Sequence, residues 1–310
     1  MNKHPLLIKE EVSMLRVGYI GLGLMGKPMA RNIMKAGFPL VVHNRSQAAV
    51  EELVAEGAVA AHSPAEVAAQ VDVVITNLPD SPDVEAVALG ENGIIEGAHE
   101  GLIFIDHSTI KPETARHIAE VLGEKGVLCL DAPVSGGDIG AQQGTLTIMV
   151  GGPEAALEKA RPILEAEGRT ITHIGEAGAG QVAKVANQIM VAAQMVAMAE
   201  LLLLSQKAGV DPERVVQAIR GGAAQCWTLD NKPQRLFAGE RGPGFKAYMM
   251  LKDLDIVMDT ARAYGMPVPS TATHTQLFRS MQELGLGELD NSAVIAVYEA
   301  LTQTHLVEKK

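Results

Sequence analysis

The chain has 310 residues, 47% of them hydrophobic, and its 26 Lys and Arg against 37 Asp and Glu give a formal net charge of -11. Its length and apolar content fit two packed domains rather than one. With no basic block and only 3% aromatics, it lacks the positive surface and stacking platforms that nucleic acid or an anionic membrane would need.

Residues 1–13 are polar and lack the charged and apolar pattern of a signal peptide. They are expected to be a disordered extension, with the first domain spanning 14–178. Residues 15–20 read as a buried strand, 21–26 as a glycine loop, 27–36 as a helix closed by Gly37, and 39–43 as the next strand. Strand, glycine turn, helix and strand within roughly 30 residues make a βαβ unit. The alternation continues with a helix at 48–56, strands at 71–77 and 102–106, a helix at 114–125, and strands at 127–130 and 145–150. This pattern predicts an α/β Rossmann domain with a mostly parallel sheet covered on both faces. After Gly178 the pattern changes to an all-α domain, 179–310, entered by a long helix over 181–208. Further helices are expected at 212–219, 249–264, 271–284 and 292–301. The apolar run 189–204 contains Gln194 and Glu200, too short and polar for a membrane span.

Gly21-Leu22-Gly23-Leu24-Met25-Gly26 is a G-x-G-x-x-G motif between a strand and a helix. There the first glycine turns the chain, the second admits a pyrophosphate, and the third lets helix and strand pack. The helix N-terminus then faces the phosphates. The following strand decides the cofactor. Where an acidic residue would bind the ribose 2′-OH of NAD, this chain has His43-Asn44-Arg45-Ser46. A guanidinium binds a 2′-phosphate through paired charged hydrogen bonds, so Arg45 with Asn44 and Ser46 favours NADP(H), with NAD(H) as the alternative. Leu78-Pro79 and Thr109 lie just past strand ends, where open sheets bind ligands, and are candidates to line the nicotinamide half.

Two further segments carry chemistry. In Asp131-Ala132-Pro133-Val134-Ser135-Gly136-Gly137 a hydroxyl sits next to exposed backbone N–H groups, a nest suited to a carboxylate. In the long helix, Lys184 shares a face with Gln188, and Asn187 is adjacent. A lysine among apolar neighbours has its pKa lowered by burial and can then exchange a proton near neutral pH. The two cysteines form no CxxC pair, which fits a reducing cytoplasm. No two histidines share a ligand spacing, so no metal is expected.

These motifs, with Lys252-Asp253-Leu254 late in the chain, occur in an order that resembles the β-hydroxyacid dehydrogenase family over nearly the whole length. The resemblance implies that Lys184 is the catalytic acid and base. It implies that Ser135, Gly136 and Gly137 bind the substrate carboxylate and that Asn187 and Gln188 orient the substrate. It also implies that Thr109 lines the cofactor and that Lys252 reaches it from the helical domain. Many members carry Asn four residues after the lysine, where this chain has Gln188.

The segments 88–98 and 218–222 resemble the branch that reduces tartronate semialdehyde to glycerate. Asn44-Arg45-Ser46 is more similar to NADPH-using glyoxylate and succinic semialdehyde reductases, and 3-hydroxyisobutyrate oxidation is the other rival. A catalytically dead nucleotide-binding scaffold is the rival from another class, and a lysine beside an amide pair counts against it. The apolar surface of the long helix points to oligomerisation through the helical domain, and the resemblance implies a homodimer or homotetramer.

Overall fold

A computed structural model describes residues 14–307; the expected extension 1–13 lies outside them. Nine strands form one sheet: β1 (Val17–Ile20), β2 (Leu40–His43), β3 (Val59–Ala60), β4 (Val73–Thr76), β5 (Ile103–Asp106), β6 (Leu128–Asp131), β7 (Val134–Ser135), β8 (Leu146–Gly151) and β9 (Gly168–Gly175). Their order is β3-β2-β1-β4-β5-β6-β8-β7, with β9 paired to β8. β1 to β6 are mutually parallel, and β8 runs antiparallel to β6 and β7. β1, β4 and β5 are buried at every position, as a sheet covered on both faces requires. Their Val and Ile side chains divide between two hydrophobic clusters, one on each face.

The chain order reverses between β1 and β4, so the loops after Ile20 and Thr76 diverge and leave a crevice at the C-terminal edge of the sheet. The helix Gly26–Lys35 leaves that crevice and seats Met29, Ala30 and Ile33 on the sheet. The sequence pattern located β1, β2, β4, β5, β6 and β8 to within a few residues, but it missed the two-residue strands β3 and β7, the helical segment 81–89, and, further on, strand β9 and the helix Glu154–Glu167. The helix carries Pro162 in its interior, and β9 is an edge strand with mostly exposed side chains. β9 therefore shows no apolar period, whereas the helix buries Ala156, Leu157, Ala160, Ile163 and Leu164 at helical spacing, a signal that Pro162 interrupts in the sequence.

The second half is helical and is led by Ala179–Lys207. At 29 residues this helix is long and apolar enough, by length and composition, to cross a membrane, so length does not settle its setting as the sequence suggested. Packing does. Half of its most apolar stretch is buried inside the protein. Ala192, Met195, Ala199 and Leu202 form a core stripe with Met250, Leu254, Phe278 and Ile295. Gln181, Lys184 and Gln188 are buried on the same helix. The helix Ala247–Ala263 packs alongside it and returns to the sheet edge, where Lys252 meets the loop after β5.

Candidate active site

The glycine loop is built as its motif requires. Gly21 has φ +100°, and a Cβ there would lie 2.2 Å from the Asn77 carbonyl oxygen. A Cβ on Gly26 would lie 1.9 Å from the Gly21 oxygen and 3.1 Å from the Tyr19 ring. Gly23 is the opposite case: it is exposed, and a Cβ would meet nothing within 4 Å. Leu24 and Met25 complete the turn. The helix that follows has no side-chain cap and no acid in its first turn, so its N–H groups and positive dipole end face the open space. Closed on the protein side and open over Gly23, this cradle fits a dinucleotide pyrophosphate.

Arg45 is exposed on the loop after β2, next to Ser46, which precedes the helix Gln47–Ala55. Arg45 thus stands past the end of β2, the strand that pairs with β1 and follows the glycine-loop helix. Asn44 is engaged otherwise. Its Oδ1 accepts the Leu22 N–H at 3.0 Å and its Nδ2 donates to the Ser46 carbonyl. It ties the glycine loop to the loop after β2, which a sequence reading of a ligand contact does not capture.

The loops after β4 and β5 are stitched together. Ser108 Oγ accepts the Leu78 N–H at 2.8 Å and donates to Asp106 Oδ1 at 2.6 Å, and Thr76 Oγ1 donates to the same oxygen. Gln181 joins this network from the long helix, accepting the Ile110 N–H and donating to the Ser108 carbonyl. Leu78, Pro79 and Thr109 are thereby held at one edge of the crevice. Gln181 carries no signal in the sequence beyond its place at the start of the helix.

The head of the long helix is clamped by Asp131, at the end of β6. Its two carboxylate oxygens accept the N–H groups of Gly178 at 2.7 Å and Gln181 at 2.8 Å. Burial pushes its pKa up to about 6, against the pull of these donors. Gly180 makes the approach possible, since a Cβ there would lie 2.4 Å from the Asp131 carbonyl oxygen and 2.5 Å from that of Met149.

Lys184 stands one turn further on. Its ammonium donates to the Val134 carbonyl at 2.7 Å, next to Ser135, Gly136 and Gly137. Burial lowers its pKa to about 8; Asp253 pulls the value up, and Lys252 adds to the lowering. Gly136 and Gly137 have φ of +136° and +66°, conformations that only glycine adopts freely. They turn the chain sharply beside Ser135. A lysine able to exchange a proton near neutral pH therefore sits against the backbone that runs into Ser135 and the glycine turn.

Asn187 and Gln188 lie on the next turn. Gln188 is buried; its Nε2 donates to Asp253 Oδ2 at 2.6 Å, and its Oε1 accepts from Asn187 Nδ2 at 2.7 Å. The half-buried Asn187 is the more accessible of the two. Lys252 donates to the Thr109 carbonyl at 2.6 Å and lies 2.8 Å from Asp253 Oδ1. Asp253 thus joins the amide pair, Lys252 and Lys184 electrostatically. Its position beside Lys252 was the only sequence signal for it.

Comparison with known proteins covers most of the chain. Residues 16–175 match the model of the NAD binding domain of 6-phosphogluconate dehydrogenase. Residues 178–298 match that of the NAD-binding region of NADP-dependent 3-hydroxyisobutyrate dehydrogenase. The chain is 41% identical to 2-hydroxy-3-oxopropionate reductase of Escherichia coli K12, over 94% of this chain and 100% of the relative. This chain belongs to the β-hydroxyacid dehydrogenase family. Within that family, the solved Mycobacterium tuberculosis 3-hydroxyisobutyrate dehydrogenase with L-serine is 34% identical, with a TM-score of 0.85 over 92% of this chain and 99% of that one. A structure described as Psf3 in complex with NADP+ and 2-OPP is 26% identical, with a TM-score of 0.83 over 91% and 99%. The chain is accordingly an NAD(P)(H)-dependent hydroxyacid dehydrogenase or reductase that acts on a small molecule.

Proposed function

We propose that this enzyme reduces tartronate semialdehyde (2-hydroxy-3-oxopropionate) to glycerate with NADPH, reversibly, with Lys184 as general acid. The observation that carries the reading is the buried lysine held against Val134, next to the Ser135-Gly136-Gly137 turn. The bound nicotinamide supplies the hydride. Ser135 and the backbone of Gly136 and Gly137 hold the substrate carboxylate, so that the carbonyl oxygen lies at the Lys184 ammonium. As charge grows on that oxygen, Lys184 donates a proton to it; in oxidation the neutral amine takes it back. Asn187 orients the substrate, and Gln188 fixes Asn187 while bridging to Asp253.

Gly21, Gly23, Leu24, Met25 and Gly26 hold the pyrophosphate. Leu78, Pro79, Thr109 and Lys252 flank the nicotinamide. Arg45 and Ser46 favour the 2′-phosphate of NADP(H), with NAD(H) the weaker cofactor, while Asn44 holds the loop that carries them. The exposed Met190 and Leu204 on the long helix support assembly through the helical domain, 179–310, into a dimer or tetramer. The enzyme is expected to work in the cytoplasm.

The identity of the E. coli relative supports the acid chosen. Steady-state rates test it, with tartronate semialdehyde, glyoxylate and succinic semialdehyde reduced by NADPH or NADH, and 3-hydroxyisobutyrate oxidised by NADP+ or NAD+. The expected result is the highest kcat/KM for tartronate semialdehyde with NADPH; a tenfold preference for another acid overturns it. R45A should raise the NADPH KM by about tenfold or more, since a hydrogen bond to a charged group is worth about 1.5–3 kcal/mol, and leave NADH nearly unchanged. Equal losses on both cofactors would refute the role given to Arg45.

A further inference from the structure

Beneath the active-site loops lies a titratable pair that proton transfer by Lys184 does not use. His107 follows β5, and Glu167 ends the helix Glu154–Glu167. Both side chains are fully buried, with Nε2 and Oε2 3.1 Å apart. His107 Nδ1 lies 2.6 Å from the Ala132 carbonyl oxygen. A carbonyl oxygen only accepts, so Nδ1 carries a hydrogen and Nε2 is left to face a carboxyl oxygen. An imidazole lone pair against a carboxylate oxygen would repel it. The contact therefore needs one further proton between Nε2 and Oε2, shared by the pair.

The surroundings keep that proton in place. Burial opposes charge on His107, but the facing Glu167 carboxylate and the Ala132 carbonyl outweigh it, and the His107 pKa is raised. The other titratable groups around the pair are Asp106, next to His107 on β5, and Tyr19 on β1. Burial, then Glu167, hold the Tyr19 hydroxyl well above its usual range, so it stays neutral.

The pair joins the two loops that must cooperate in hydride transfer. Ala132 lies two residues before Val134, the partner of Lys184, and His107 immediately precedes Ser108 and Thr109 at the cofactor edge. We propose that His107 is a positioning residue: bridging Ala132 and Glu167, it fixes the substrate loop against the cofactor loop, so that Lys184 and the nicotinamide address the same carbonyl. The idea rests on the hydride-transfer reading above but not on which acid is reduced. Loss of the shared proton sets Nε2 against Oε2 and loosens that register, so it adds a second alkaline step beside that of Lys184.

The test measures kcat and KM from pH 6 to 10, NADPH Kd over the same range, and Tm, for wild type, E167Q and H107M/E167M. The E167Q amide donates to Nε2 at every pH and has no proton to lose. It should keep kcat within about threefold at pH 7, lose the second alkaline step, and hold NADPH across the alkaline limb over which wild type weakens. H107M/E167M replaces the pair by apolar groups of similar volume, a change that buried ion pairs often tolerate. It should fold with a near-normal Tm yet lose about tenfold in kcat through misplacement. Wild-type kcat in the double variant, or a wild-type two-step limb in E167Q, overturns the proposal. If the double variant does not fold, the E167Q profile decides alone. If wild type reduces none of the acids, the function reading fails, and the pH dependence of NADPH Kd in E167Q still decides this one.

Discussion

Two glycine-rich turns flank the crevice, and they use the missing side chain in opposite ways. At the nucleotide loop, Gly23 leaves space that no protein atom fills within 4 Å. At the head of the long helix, the space around Gly180 is filled by the carbonyl oxygens of Asp131 and Met149 at 2.4 and 2.5 Å. The first glycine keeps room for a ligand. The second lets backbone approach backbone, so that a helix carrying a buried lysine starts at a fixed point on the sheet. A glycine pattern in sequence does not tell these uses apart; the space around each Cβ does.

The largest effect expected lies at the lysine that this second turn places. K184M should lower kcat by about 10²–10⁴-fold, the usual contribution of a positioned acid or base, with NADPH Kd nearly unchanged. Near-normal turnover would remove Lys184 from the mechanism. The pH profile gives a signed companion, because burial lowers the Lys184 pKa to about 8. Reduction needs the ammonium, so its kcat should fall as pH rises through about 8. Oxidation needs the amine, and its kcat should rise over the same interval. Parallel limbs in the two directions would contradict the role.

G180A comes next. Its methyl would enter space already held by two backbone oxygens, so the head of the helix must shift. Overpacking of this kind costs typically about 1–3 kcal/mol, which should appear as a lower Tm. The shift also moves Lys184, one turn on, so kcat should fall with Tm while the NADPH KM stays close to normal. A variant that loses Tm but keeps kcat would separate the clamp from the placement of the lysine.

The sequence made the first turn more legible than the second, for a physical reason. The nucleotide loop is local: strand, glycines and helix are consecutive, and the periodicity of each flank is strong. The βα alternation and the lysine with its amide pair were legible on the same basis. The clamp is not local. Asp131 binds N–H groups 47 and 50 residues away, and His107 meets Glu167 across 60 residues. Asn44 looked like a ligand residue because it neighbours Arg45, yet its carbonyl oxygen turns inward to Leu22. The direction of a short polar side chain depends on which backbone donors the fold brings near, and no periodicity records that. β9 escaped notice because an exposed edge strand has no apolar face to betray it.

The smallest expected effect tests the open turn. Gly23 does not have a positive φ, and its Cβ space is empty. Alanine there should leave packing intact, and the reduced freedom of the unfolded chain favours a Tm equal to or slightly above wild type. Only a ligand that approaches the backbone would feel the methyl. NADPH and NADH KM should therefore both rise by about tenfold, or about 1.4 kcal/mol, with kcat little changed at saturation. The shared loss matters, since the pyrophosphate is common to both cofactors, whereas Arg45 concerns only the 2′-phosphate. A G23A enzyme with unaltered KM would place the pyrophosphate elsewhere. A G23A enzyme with lowered Tm would show that this glycine, like Gly180, is held by protein rather than kept for a ligand.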